Sequence, residues 1–89
     1  MENEIKDIIS SKENIFQNTR LLTMEEISNF RKDMKLKNFD SDLLPIFDFF
    51  DNDFICYQAK NKKWCIFNAV DEIVFKKDSL LEDLLKLKS

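Results

Sequence analysis

The side chains best placed for chemistry are three carboxylates around one turn, Asp48, Asp51 and Asp53, and two thiols nine positions apart, Cys56 and Cys65. Hard cations such as calcium and magnesium take oxygen ligands, so the carboxylates invite a cation reading. The spacing is not that of a helix-loop-helix calcium site, which also needs a glycine at its sharp turn. As general acid and base, two carboxylates would need a pocket that separates their pKa values. The plainer reading gives Asp51 and Asn52 to turn geometry and leaves Asp48 and Asp53 facing solvent. A third reading makes the three carboxylates the rim of a partner-binding surface. The two cysteines lack the second pair that a zinc site wants, and read as small buried hydrophobes in neighbouring strands.

Two absences narrow the chemistry further. The chain has no His, so a Ser-His-Asp or Cys-His arrangement cannot be assembled from it. It has no Gly, so neither a P-loop nor a dinucleotide fingerprint can be built. No catalytic residue, metal site or cofactor is assigned, and a non-enzymatic role is expected. Tyr57 and Trp64 remain as aromatic candidates: core residues on one reading, binding anchors on the other, since interface hot spots are rich in both types.

Charge points the same way. Seventeen acidic residues outnumber 14 basic ones, for a net −3. The longest basic feature is Lys60, Lys62 and Lys63, read as a solvated loop tip, and nucleic acid is not expected as a partner. A basic protein surface is compatible with the charge. The acidic start Met1-Glu2-Asn3-Glu4 does not read as a signal peptide, and no apolar run approaches the ~18 residues of a membrane span. A cytoplasmic setting with reduced thiols is expected.

The elements that must position these residues follow from periodicity. The 89 residues suit one domain, and 44% of them are hydrophobic, nine being Phe, which gives a short chain an efficient core. Ile5, Ile8 and Ile9 predict a helix over 2–10, and residues 11–22 a connection pinned by Ile15 and Phe16. Thr23-Met24-Glu25-Glu26 is a capping box opening a helix with Met24, Ile27, Phe30 and Met34 as its stripe. That helix should fade near Lys37-Asn38. From Leu43 the pattern turns to strands: Leu44–Phe50, Phe54–Ala59, Trp64–Asn68 and a shorter one over Glu72–Lys76. Ser79-Leu80-Leu81-Glu82 reads as a second capping box, with Leu80, Leu81, Leu84, Leu85 and Leu87 supplying an apolar face to dock on the sheet.

The expected fold is α+β: an antiparallel meander of three to four strands, helices packed on one face, order α-α-β-β-β-(β)-α. Residues 1–20 are expected as a loosely docked extension of a single domain. A second hairpin turning at Asn61-Lys62 pairs Lys60 with Lys63. Phe54, Cys56 and Gln58 then share one face with Cys65, Phe67 and Ala69. Ile55, Tyr57 and Ala59 share the other with Trp64, Ile66 and Asn68.

Leu44-Pro45-Ile46-Phe47, the acidic turn Asp51-Asn52-Asp53 and the strand Phe54-Ile55-Cys56-Tyr57 together resemble the central signature of the SUKH superfamily. That group holds the cell-wall-assembly-regulator-like proteins and many bacterial immunity proteins. Trp64-Cys65-Ile66-Phe67, the strand around Ile73-Val74-Phe75 and the closing Ser79–Leu87 helix follow the same order, so the resemblance spans roughly residues 20–87. It implies an α+β fold and a non-enzymatic, protein-binding role, often towards a secreted nuclease or deaminase toxin, and carries over Asp53 and Tyr57 as counterparts of family positions; with this chain's acidic balance, the partner expected is a basic toxin. The alternative is a structural or regulatory interaction protein that homodimerises by burying the Tyr57/Trp64 face.

Overall fold

The computed structural model describes residues 19–37 and 39–88. The 2–10 helix, the docking of Ile15 and Phe16 and the terminal role of Asn38 lie outside them. Five antiparallel strands run in chain order across one sheet: β1 (Arg20–Leu21), β2 (Leu43–Asp48), β3 (Asp53–Gln58), β4 (Lys63–Asn68) and β5 (Ile73–Ser79). Between β1 and β2 lie α1 (Met24–Ser28) and α2 (Phe30–Asp33). After β5 come α3 (Leu81–Leu85) and a 3₁₀ turn, Lys86–Lys88. The α+β class stands; the sheet gains β1 at one edge, and the helices are shorter than the periodicity suggests.

The capping box at Thr23 forms on both sides. Thr23 Oγ1 accepts from the Glu26 amide at 3.1 Å, and Glu26 Oε1 accepts from the Thr23 amide at 3.0 Å. The helix nevertheless breaks at Asn29, with φ −101° and ψ 7°, before α2 resumes. Of the expected stripe only Phe30 is buried; Met24 is 77% exposed and Met34 39%. The Ser79 box does not form. Ser79 Oγ donates to Lys76 O, and Leu80 takes the cap position without a side-chain hydrogen bond. Strand β5 runs on through Ser79, so that residue is already committed to the sheet when α3 begins.

Both sheet faces are covered by helical or loop residues, which corrects the one-face expectation. On one side Leu81, Leu84 and Leu85 of α3 pack with Phe47, Ile55 and Trp64. On the other, Phe30, Leu36 and Phe39 close over Phe54, Cys56 and Phe67. The cause lies in the strands: β3 and β4 each carry four consecutive buried residues, so neither face can be left to water. Edge-to-face rings fill the second layer, Phe30–Phe54 at 4.8 Å and Phe39–Phe67 at 4.9 Å between centroids.

The β3–β4 hairpin closes at Gln58–Lys63 rather than at Lys60–Lys63. Its loop is four residues, with Lys62 left-handed at φ 58° and its amide donating to Gln58 O at 2.9 Å. The slip is two residues, so face membership survives while every cross-strand partner changes. Phe54 meets Phe67, and Cys56 meets Cys65.

With no Gly to draw on, the chain makes its tight turns from other residues in the left-handed region. Phe50, Asp51 and Asn52 follow one another at φ 65°, 54° and 68° between β2 and β3, while Glu72, Lys76 and Asp78 shape the start and twist of β5. Asn and Asp adopt this region with little penalty; Phe and Lys do not.

Candidate functional site

The three carboxylates of the acidic turn diverge into separate jobs. Asp48 Oδ1 accepts from the Phe50 amide at 2.8 Å, and its Oδ2 lies 3.5 Å from Arg20 Nη2. Arg20 also grips Glu26 through both oxygens, at 2.8 Å each, so one guanidinium ties β1 to α1 and to β2. Asp53 Oδ1 accepts from Asn68 Nδ2 at 2.9 Å across β3 and β4. Asn68 Oδ1 in turn accepts from the amides of Val70 and Asp71, at 3.0 and 2.9 Å, and so fixes the β4–β5 turn. Asp48 and Asp53 are half-buried and engaged, not solvent-facing as expected; Asp51 stands exposed at the tip. Among the described residues no three His, Cys, Asp or Glu side chains group closely enough to hold a metal ion.

The aromatic candidates lie inside the molecule. Trp64 is wholly buried and Tyr57 is 8% exposed; their rings meet edge-on at 5.0 Å under α3. The expected Tyr57/Trp64 docking face is therefore not a surface in this chain, because α3 occupies it. Cys56 and Cys65 are free, buried and directly opposed. Burial pushes the Cys56 thiol well above its ordinary value, with Cys65 adding to the effect. Cys65 is pushed up to about 11, again by burial, against a lowering pull from Lys77. The bond from the Ala69 amide to Asn52 O continues the same ladder, which makes Cys56–Cys65 a hydrogen-bonded pair. Cβ atoms in such pairs sit about 5.5 Å apart, beyond the ~3.8 Å typical of a disulfide.

What the sequence reading missed is a second group at the same end of the sheet. The bond between Ala69 and Asn52, at 2.8 Å, joins the β2–β3 and β4–β5 turns side by side. Phe50, Val70 and Ile73 stand out there at 44%, 69% and 51% exposure. Around them are Asp51, Asp71 and Glu72, the last accepting from the Lys37 amide at 2.9 Å. One signal was available in the sequence. Phe49 and Phe50 are adjacent just before a turn, and adjacent strand-like residues cannot both face the same layer. Phe49 is the buried one.

The meander segregates charge along its strands. The turns at this end carry Asp48, Asp51, Asp53, Asp71 and Glu72, against Arg20 and against Lys35 and Lys37 on the segment that runs from Met34, beside Asp48, to the Lys37 amide's bond with Glu72. The opposite half carries Lys60, Lys62, Lys63, Lys76 and Lys77, against Asp40, Asp42 and Asp78. Asp78 is held by Gln58 and Asn61, at 3.1 and 2.5 Å, beside an open cleft of about 250 Å³ lined by lysine and aspartate alike.

No family model, curated protein or solved structure matches this chain. No helix among the described residues is long and apolar enough to cross a membrane.

Proposed function

We propose that this chain is a non-enzymatic protein-binding module whose partner is a basic protein, in the manner of the SUKH-type immunity proteins it resembles. The observation that carries the reading is the charge segregation: acidic turns gathered at one end of the sheet, lysines towards the other. An end of one sign raises the encounter rate with a complementary surface and orients the approach. Exposed apolar side chains among the carboxylates supply contact area once the partner has arrived. Cytoplasmic residence fits the reduced thiols.

Co-expression with a basic toxin encoded by a neighbouring gene tests it. Protection of growth is expected, along with a complex that weakens steeply between 50 and 500 mM salt, as screening of a charged interface requires (the Debye length falls to about 3 Å at 1 M). Asp51→Asn, which removes the charge and keeps a residue suited to the left-handed turn, combined with Asp71→Lys, should abolish protection. Asp48 and Asp53 are the wrong choices, since their reversal would break the turn itself. Protection unaffected by the double variant, with its melting temperature unchanged, would overturn the reading.

A further inference from the structure

We infer that the cleft beside the β3–β4 turn binds a free α-amino acid with an aliphatic side chain, its carboxylate taken by lysine and its ammonium group by aspartate. The inference goes beyond the protein-binding reading and does not rest on it, since the cleft lies in the opposite half of the sheet from the acidic turns.

The cleft holds about 250 Å³. Asp40 and Asp42 line it from the lead-in to β2, Lys60 from the β3–β4 turn and Lys77 from β5. Two carboxylates thus share one space with two ammonium groups, and none of the four makes an ion pair with a described residue. A site of balanced sign gives a plain anion or a plain cation no net attraction. A ligand that carries both charges joins groups the fold keeps apart, through charge-assisted hydrogen bonds. Leu43, buried, and Val74, half-buried, line the same space and give an aliphatic side chain its contact. The volume lies just under the ~300 Å³ at which ligand pockets begin, which suits roughly ten heavy atoms rather than a nucleotide.

The polar walls are held in place by their own bonds. Asp40 Oδ1 accepts from the Asp42 amide at 2.8 Å, and Asp42 Oδ2 from the Lys60 amide at 3.4 Å. Gln58 and Asn61 both donate to Asp78 Oδ1, at 3.1 and 2.5 Å, which steadies the turn that carries Lys60. Lys77 and Asp40 act on one buried thiol: Lys77 lowers the Cys65 pKa, whereas Asp40 and Asp78 raise it. The cation and the carboxylate therefore lie within electrostatic reach of a single point, as two walls of one site must.

L-Leucine is the probe, titrated into the full chain at constant pH and followed by amide NMR shifts. Saturable shifts are expected at residues 40–43, 58–61 and 74–77, with a dissociation constant on the order of 1 mM, as suits so few contacts. Leucinamide lacks the carboxylate and isocaproate lacks the ammonium group, and each should bind at least tenfold more weakly. Lys77→Gln should remove the preference for leucine over leucinamide. Asp40→Asn keeps an oxygen for the Asp42 amide and should remove the preference over isocaproate. The comparison of the three compounds on wild type decides the matter even where a variant melts lower. No saturation up to about 50 mM leucine, shifts centred on another surface, equal binding of the three compounds, or folded variants that keep the wild-type preferences would each overturn the proposal.

Discussion

Glu26 is a surface residue with several attachments. Its carboxylate takes both arms of Arg20 and the Thr23 amide, and these bonds hold its pKa near 2 rather than its ordinary 4.5, the Arg20 contact being the larger cause. A carboxyl whose pKa is depressed by folding stabilises the fold above its unfolded value and loses that contribution as pH falls towards the folded one. Stability should therefore decline from about pH 5 down to about pH 2, modestly, because the pair is solvent-exposed and screened. Urea unfolding of wild type and Glu26→Gln across that range checks it: the variant should show the shallower slope. The two cysteines carry the opposite kind of shift. Their raised pKa values and full burial predict that iodoacetamide at pH 8 leaves both unmodified in the folded protein and labels both in urea. Rapid labelling of native protein would contradict the buried placement.

Among the elements, α3 shows what a few residues can do. Leu84 is 2% exposed and sits over Phe47 and Trp64, whereas Leu80 at the same helix's start is 50% exposed. Leu84→Ala should lose about 3 kcal/mol by opening a cavity, and Leu80→Ala less than about 0.5. Comparable losses for the two would mean that α3 does not cover the sheet as described.

Several elements were legible from residue order alone. Aromatic and β-branched content between turn residues located β2, β3 and β4 to within a residue or two, and the Thr23 box marked the start of α1, because local chemistry decides both. Other features are tertiary and left no local mark. Ser79 looks like a cap, but β5 claims it; the β3–β4 register moved because a four-residue loop with Lys62 left-handed is as available to the chain as a two-residue one. The candidate site suffered most. Whether Tyr57 and Trp64 face water depends on where α3 lands, and the grouping of Phe50 with Val70 and Ile73 depends on two turns meeting in space.

At the scale of the whole molecule, the sheet edges bear on how copies behave together. β5 is guarded by two lysines and by left-handed residues at 76 and 78, which interrupt its pairing row; on the other side β1 is only two residues long and Pro45 removes a donor from β2. Growth of the sheet by a second copy is thereby discouraged, which leaves association to the turns and the charges they carry.

The order of the strands across the sheet is their order along the chain, and this governs how quickly the native state is reached. From β2 to β5 each ladder joins neighbours separated by four residues, and only the two-residue β1 pairs across the longer helical segment 22–42, so little loop-closure entropy is spent before the main pairing begins. Zippering from the β3–β4 hairpin outward needs no distant segment to arrive first. Refolding after dilution from urea should follow one exponential, with a time constant on the order of milliseconds, fast for a chain whose contacts are mostly between strands. A relaxation lasting seconds would mean that some long-range step precedes the meander.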